Sequence, residues 1–224
     1  MADTSTSNEK FSKFILPDNY VQFSPLNSEI TVHESSRGLA LDKAFFGGCL
    51  NFIEARFPNH EKELLYRIGY QWGEEVYSKI ERLAMLTFPE VRSIKDLSMD
   101  QFHQLFTNHL AALGWGNFEL KRRDDFLFVD LYHSIFAYPN QENKTEADYK
   151  TACDLYAGFF AGIFSRISNM KLDCVEITCK TEGYEWCSFL LDNAETIGMV
   201  HKYRKQNFSP LEAFQKIKKE IEED

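Results

Sequence analysis

The 224-residue chain is long enough to bury the hydrophobic core of one domain of ordinary to large size. Its formal net charge of −9 argues against non-specific nucleic-acid binding, because phosphate contacts need clustered lysine and arginine side chains. The sequence contains nothing like a transmembrane span, and its polar start lacks the apolar core of a signal peptide, so we expect a cytoplasmic protein. In that compartment cysteines are more often metal ligands or free thiols than disulfides.

The order of predicted elements indicates one α+β domain over residues 14–204, in which an antiparallel sheet of two hairpins packs with helices. Residues 1–13 are polar and are predicted to be disordered. Prolines and short apolar pieces in 14–37 predict loops with one edge strand. Residues 205–224 predict a charged amphipathic helix at the end of the chain.

The helices of the first half are marked by apolar spacing and by capping residues. Residues 39–57 are too apolar for a surface helix and are predicted to be largely buried. A second helix has apolar residues every three or four positions, can be capped by Asn59 and stops at Pro89. Ser98 is expected to cap a shorter helix that ends at Gly114.

The second half changes from helical to strand periodicity. Residues 115–137 predict two strands joined by the polar turn Arg-Arg-Asp-Asp. Thr145 is expected to cap a long helix that runs to about Ser168, and a second hairpin follows with its tip at Gly183.

That second hairpin holds three of the five cysteines within the fourteen residues CVEITCKTEGYEWC, from Cys174 to Cys187. Cys179 lies four residues before Gly183 and Cys187 four residues after it, so a left-handed glycine at the tip places them opposite each other. Opposed residues have Cβ atoms roughly 4.5–5.5 Å apart, which allows two thiolates to share a tetrahedral zinc. The alternative is that these cysteines are ordinary buried thiols.

Glu176 could add a third ligand, although strict strand alternation would point it away from Cys179, which is three residues later. It can join the cysteines only if the strand bulges or if its longer side chain wraps around the strand. Three ligands do not close a structural zinc site, so a fourth must come from elsewhere in the chain.

The run E-x-x-C, then seven residues with an internal glycine, then C-x-F resembles the end of the 4-vinyl reductase domain. In zinc-bearing members, such as the sensory domains of phenol-responsive transcriptional activators, another cysteine lies twenty-three positions before the glutamate. Here that position is Cys153, on the predicted long helix. The resemblance therefore implies a closed, structural zinc site of Cys153, Glu176, Cys179 and Cys187. It is most specific over residues 114–192.

The same resemblance implies a fold related to heme-based nitric-oxide sensors and to vesicle-tether subunits, and a homodimer paired through helices, which here implicates the apolar surface around 39–86. Family sensors bind a small aromatic molecule, and other members are linked to chlorophyll biosynthesis and photosystem assembly. We therefore expect a zinc-stabilised protein that binds a hydrophobic, aromatic or tetrapyrrole ligand, with photosystem assembly proteins as candidate partners. The alternative is a dimeric scaffold without a small ligand. An enzyme is the weaker hypothesis, because we find no nucleophile–base pair, phosphate-binding loop, or nicotinamide or flavin fingerprint.

By analogy with those sensors, the ligand pocket is expected between the first hairpin, the long helix and the preceding helices. Strand alternation places Tyr132 on the same face as Phe126 and Phe128, which we take as the inner face, and turns His133 away. The predicted ligand-binding residues are Trp115, Phe126, Phe128, Tyr132, Tyr156, Phe160 and His103. Plain core packing explains each aromatic equally well.

The remaining two cysteines have no assigned ligand role. Cys49 is predicted to be a packing residue of the core, while Cys174 is either a free thiol near the metal site or a competing ligand.

Overall fold

The computed structural model describes residues 15–33, 36–41, 43–136 and 153–223. The predicted disordered segment 1–13 lies outside these ranges. The elements are β1 (Val21–Ser24), β2 (Glu29–Val32), β3 (Ser36–Gly38), α1 (Lys43–Arg56), α2 (Glu61–Thr87), α3 (Met99–Ala112), β4 (Asn117–Arg123), β5 (Phe126–Tyr132), α4 (Asp154–Ser168), β6 (Asp173–Thr178), β7 (Cys187–Asp192), α5 (Ala194–Arg204) and α6 (Pro210–Glu223), with 3₁₀ turns at Ile94–Asp96 and Lys180–Glu182. These helices and antiparallel sheets confirm the predicted α+β class.

Backbone contacts group the chain into two compact units. Of the described residues, those within 1–41 and 80–115 form the first unit, and those within 42–79 and 116–224 form the second. Among the described helices, none combines the length and the apolar character needed to cross a membrane.

In the first unit, β1, β2 and β3 form an antiparallel three-stranded sheet where the sequence predicted only one edge strand. Ser98 caps α3 as predicted, through a capping box in which its hydroxyl accepts from the backbone N–H of Gln101. Gly114 follows α3 with a left-handed φ of 78°. The phenol of Tyr20 hydrogen-bonds the buried ring of His109 on α3.

The second unit is built on a four-stranded antiparallel sheet in the order β4-β5-β7-β6. The predicted first hairpin is present, and Asp124 and Asp125 form its turn with φ values of 49° and 66°. Positive φ at both central residues is the geometry that a two-residue hairpin turn requires. Gly183 also has the left-handed conformation predicted for the second hairpin, at φ 91°.

The two faces of this sheet carry different helices. On one face, Phe160 of α4 lies 5.3 Å from Phe118 and 5.1 Å from Phe189, measured between ring centroids. On the other face, Phe128 contacts Phe214 of α6, within a core completed by α5. Both faces are therefore buried, and α6 is part of the core of the second unit.

Helices α2 and α4 pack backbone to backbone through two glycines on each helix. A Cβ placed on Gly158 would lie 1.9 Å from the carbonyl oxygen of Tyr66, and one on Gly69 would lie 2.0 Å from that of Leu155. Gly73 and Gly162 show the same conflict at 2.2 Å. Only glycine permits this approach, so the spacing Gly-x-x-x-Gly in both helices fixes where α4 lies on α2.

Tyr66 of α2 also binds the start of β6. Its phenol donates to the carboxylate of Asp173 at 3.1 Å and accepts the backbone N–H of Cys174 at 3.2 Å. Because α2 contacts both α4 and β6, it holds two of the elements that carry the candidate metal ligands.

The prediction that residues 39–57 are buried is wrong. Phe45 and Phe52 of α1 are 55% and 59% exposed, and Phe57 is also exposed. An apolar composition shows that a helix needs a partner, but it does not show whether that partner belongs to the same chain. The cap assigned to Asn59 is also wrong, since this residue has a left-handed φ of 71° and α2 begins at Glu61.

We expect Gly158→Ala to lower the free energy of unfolding by about 1–3 kcal/mol, because the new methyl group must push the two helix backbones apart. Gly198→Ala on α5 is the matched control. Its Cβ meets nothing within 4 Å, so only the gain in helix propensity of about 0.5–1 kcal/mol remains. Urea unfolding of both variants measures the difference. Equal stabilities would contradict close packing of α2 on α4.

Candidate metal centre

Four side chains from three parts of the second unit converge at one buried point. Cys153 immediately precedes α4, Glu176 lies on β6, Cys179 follows β6 and Cys187 begins β7. One ligand atom from each side chain lies within 4.8 Å of all the others, and all four residues are buried. The structure therefore brings together the four residues selected from the sequence.

A β-bulge turns Glu176 toward the cysteines. Glu176 pairs with Phe189, whereas Thr178 pairs with Ser188, so one extra residue of β6 stands between the two pairs. The extra residue reverses the alternation of the strand, and Glu176 and Cys179 point to the same face of the sheet although they are three positions apart. Of the two routes considered for Glu176, the structure uses the bulge.

The sulfur spacing fits tetrahedral coordination. The Sγ of Cys187 lies 3.7 Å from the Sγ of Cys153 and 3.7 Å from that of Cys179. A tetrahedral zinc with Zn–S bonds of about 2.3 Å separates its sulfur atoms by about 3.8 Å. None of the five cysteines forms a disulfide. The three thiols can therefore surround one ion with little rearrangement.

The buried carboxylate of Glu176 is the strongest indication that a cation binds among these four side chains. Both of its carboxylate oxygens are buried, and neither makes a hydrogen bond of normal geometry to the described residues. Burial, followed by the charge of the neighbouring Cys179, raises the pKa of Glu176 well above its ordinary value. Burial likewise raises the pKa of Cys153. A cation at the centre would offset the free-energy cost of a buried negative charge on Glu176 and on Cys153, and would therefore let both groups ionise.

Two hydroxyl groups surround the thiols, and sequence analysis missed both. The Oγ of Ser134 lies 3.4 Å from the Sγ of Cys153, and the hydroxyl of Thr181 donates to the Sγ of Cys179 at 3.1 Å. Hydroxyl donors of this kind fix the orientation of metal-bound thiolates. Thr181 could have been found from the sequence, because it lies two residues after the predicted ligand Cys179. Ser134 could not, since it is far in sequence from all four predicted ligands.

The placement of Cys153 differs from the prediction. The sequence placed it inside a helix capped by Thr145, whereas α4 begins at Asp154 with Cys153 at its N-cap. Thr145 itself lies outside the described residues. An N-cap residue has non-helical backbone angles, here φ −109° and ψ 28°, which frees its side chain to turn toward β6 and β7.

The other two cysteines do not join the cluster. Cys174 is buried on the face of β6 that also carries Glu176, and burial raises the pKa of its thiol. Cys49 is exposed on α1, so its prediction as a core residue is wrong.

The predicted ligand-binding residues do not meet at a single site. Phe126, Phe128 and Tyr132 share one sheet face, as alternation predicted, but that face packs against α5 and α6. Tyr156 and Phe160 of α4 lie on the opposite face, where both pack directly on Phe118. The prediction of one pocket between the first hairpin and the long helix is therefore wrong. Side-chain alternation correctly predicted which strand residues lie on the same face of the sheet. It did not predict which helix covers each face.

Tyr132 is engaged by polar neighbours on β4. Its hydroxyl donates to Glu119 at 3.1 Å and accepts from Lys121 at 3.2 Å, while its ring contacts Trp186. Trp115 and His103 belong to the first unit, where each is half-buried.

Comparison with known proteins supports the resemblance seen in the sequence. Residues 141–193 match the sequence model of the 4-vinyl reductase domain, and this range contains all four candidate ligands. No curated protein matches the sequence. The fold is similar to the crystal structure of the phenol-responsive sensory domain of the transcription activator PoxR with phenol, with a TM-score of 0.60 and 13% identity over 86% of this chain and 92% of that chain.

Two further solved structures show weaker likeness. A vinyl-4-reductase family protein from Methanocaldococcus jannaschii has a TM-score of 0.43 and 16% identity over 69% of this chain and 83% of that chain. Subunit 3 of a trafficking protein particle complex from Naegleria fowleri, covalently bound to palmitic acid, has a TM-score of 0.46 and 10% identity over 67% of this chain and 91% of that chain.

Proposed function

We propose that this chain, in which residues 141–193 match the 4-vinyl reductase domain, is a non-catalytic protein that binds a small hydrophobic molecule and is held together by one structural zinc ion. The observation that carries the proposal is the buried carboxylate of Glu176 among three thiols at tetrahedral spacing. Zinc accepts this mixture of sulfur and oxygen ligands, and four protein ligands leave no open position for substrate. The ion would link the start of α4 to β6 and β7.

We expect one zinc ion per chain, and we expect Cys179→Ser to lose it and to unfold at lower denaturant concentration. Structural zinc contributes about 10–16 kcal/mol of apparent binding free energy in small domains, so its loss is readily measured even where a larger core softens it. Cys49→Ser, which changes an exposed cysteine, is the control and should keep full metal content. Elemental analysis with urea unfolding tests both variants.

Proton release is a second readout of the same site. Burial raises the pKa of the Cys153 thiol and of the Glu176 carboxyl, and so favours their protonated forms when no ion is bound, whereas zinc binds the deprotonated forms. Binding should therefore release acid in weakly buffered solution and tighten as the pH rises. A Cys179→Ser protein with full metal content and unchanged stability would refute the zinc proposal.

The small-molecule part of the proposal is supported by fold. The family match and the likeness to a sensory domain solved with phenol favour a binding module. We expect phenol or a tetrapyrrole such as protoporphyrin IX to raise the melting temperature of the zinc-loaded protein in a saturable manner. If no member of a panel of aromatic and tetrapyrrole compounds does so, the scaffold alternative is favoured, and with it an assembly role such as that of the photosystem-linked relatives.

We further propose that the apolar surface of α1 pairs with a second copy of the chain. Phe45 and Phe52 are more than half exposed, and Phe57 and Ile68 extend the same apolar character toward α2. Several large apolar side chains exposed close together in sequence are typical of a protein–protein interface. This exposure argues against the alternative that α1 is the central core of one subunit.

Sedimentation velocity at micromolar concentration should give a mass of twice 26.1 kDa. Phe52→Glu should shift the protein toward the monomer, because it would bury a charge in the interface. Met170→Glu, at an exposed apolar residue after α4, should leave the dimer intact. A wild-type protein that sediments only as a monomer would exclude this interface.

A further inference from the structure

On the α6 side of the sheet, a groove of about 350 Å³ lies between the loop before β7 and α6. Phe128 and Ile177 form its floor, Trp186 forms one wall, and Leu211 and Phe214 of α6 form the other. It is on the opposite face from the four candidate metal ligands. We propose that this groove binds a neutral two-ring aromatic molecule that carries one carbonyl oxygen. The inference rests on the proposed small-molecule-binding function and gives it a location and a ligand class.

The volume and lining of the groove define the aromatic part of the ligand. Ligand pockets of proteins have volumes of about 300–1,000 Å³ and are lined mainly by apolar and aromatic side chains. A cavity of about 150 Å³ accepts one benzene ring, so this groove has room for roughly two. Trp186 and Phe214 both line the groove, and aromatic side chains in a pocket lining suit a flat aromatic ligand.

Arg123 defines the polar part of the ligand. Its guanidinium is paired with the fully buried carboxylate of Asp130, donates to the hydroxyl of Ser188 at 3.4 Å and lies 5.0 Å from the ring centroid of Phe128. Asp130 is fixed in turn, since it accepts from Ser188 at 2.6 Å and lies 3.0 Å from the ammonium of Lys121. A guanidinium has five N–H donors and no acceptor. Because the guanidinium of Arg123 is held at the groove, it favours a ligand that carries an oxygen acceptor.

The charges at the groove favour a neutral ligand. Asp130 already balances Arg123, and the carboxylates of Asp124 and Glu185 also line the groove. Asp124 is paired with Lys218 at 2.6 Å. Because Arg123 and Lys218 are each already paired with a carboxylate, a negatively charged ligand would gain little from them and would lie near the further carboxylate of Glu185. A carbonyl accepts a hydrogen bond without adding charge.

Titration of the zinc-loaded, full-length protein with 2-acetylnaphthalene, followed by the indole N–H signals of its tryptophans in NMR spectra, tests the proposal. The chain has three tryptophans, and the signal of Trp186 is identified by its loss in Trp186→Phe. We expect the Trp186 signal to move in a saturable manner while that of Trp72, which packs on α4, stays in place. The same two rings with a carboxylate, 2-naphthoate, should bind more weakly.

Three variants distinguish the groove from other apolar surfaces. Arg123→Gln should raise the dissociation constant about tenfold, as expected for loss of a charge-assisted hydrogen bond. Arg122→Gln, one residue earlier on β4 and paired with Asp125, should leave it unchanged. Leu211→Trp fills the groove from the half-exposed side of α6 and should weaken binding without unpairing Asp130, so it serves if Arg123→Gln unfolds.

The proposal that the groove binds the ligand would be overturned if the Trp186 signal does not move, or if Arg123→Gln and Arg122→Gln change the dissociation constant equally. If phenol or a tetrapyrrole still raises the melting temperature in that case, the proposed function stands and only its location fails. If 2-acetylnaphthalene shifts Trp186 and the variants behave as expected in a protein without stoichiometric zinc, the groove stands and the metal proposal fails.

Discussion

The carboxylate of Glu176 is buried at the end of β6 beside three thiols, and neither oxygen has a hydrogen bond of normal geometry within the described chain. Burial raises the pKa of such a carboxyl group, because it removes the water that would stabilise the negative charge. The charged form is stable there only if a cation lies beside it. The proposed zinc ion would resolve this conflict and, at the same time, give the three thiols a common partner. The start of α4, β6 and β7 meet at this point, and each contributes a candidate ligand.

The backbone delivers each ligand by a different device. Cys153 occupies the N-cap of α4, a bulge in β6 aligns Glu176 with Cys179, and Cys187 starts β7. The position of α4 is set on its other side by the close glycine contact with α2. The second unit therefore combines a closely packed helix pair, in which an added side chain must push the two backbones apart, with a ligand cluster that would fix the loop between Cys179 and Cys187 at both ends.

That loop connects the two faces of the sheet. Its ends point toward α4 and the candidate ion, while Trp186 turns to the other face and forms a wall of the groove beside α6. Asp130 and Arg123 fix the polar side of the same groove. A metal-stabilised loop would thus give a ligand site on the opposite face a wall of defined shape, which is how a structural ion can serve a binding function without touching the ligand.

The sequence by itself determined the α+β class, the capping of α3 by Ser98 and the turns at Asp124–Asp125 and Gly183, because caps and turns are local properties of the chain. The opposition of Cys179 and Cys187 across the hairpin is local in the same way, whereas Cys153 and Glu176 were added to the candidate site by the resemblance to the 4-vinyl reductase domain. For Glu176 the sequence left two routes open, a bulge in the strand or a side chain that wraps around it, and the tertiary structure has the bulge. It did not determine which helix covers which face of the sheet, so Tyr132 and Tyr156 were wrongly assigned to one pocket. Nor did it determine whether the partner of the apolar helix α1 lies within the chain. Those outcomes were decided by the tertiary structure, since alternation along a strand tells which residues share a face and only packing tells what that face meets.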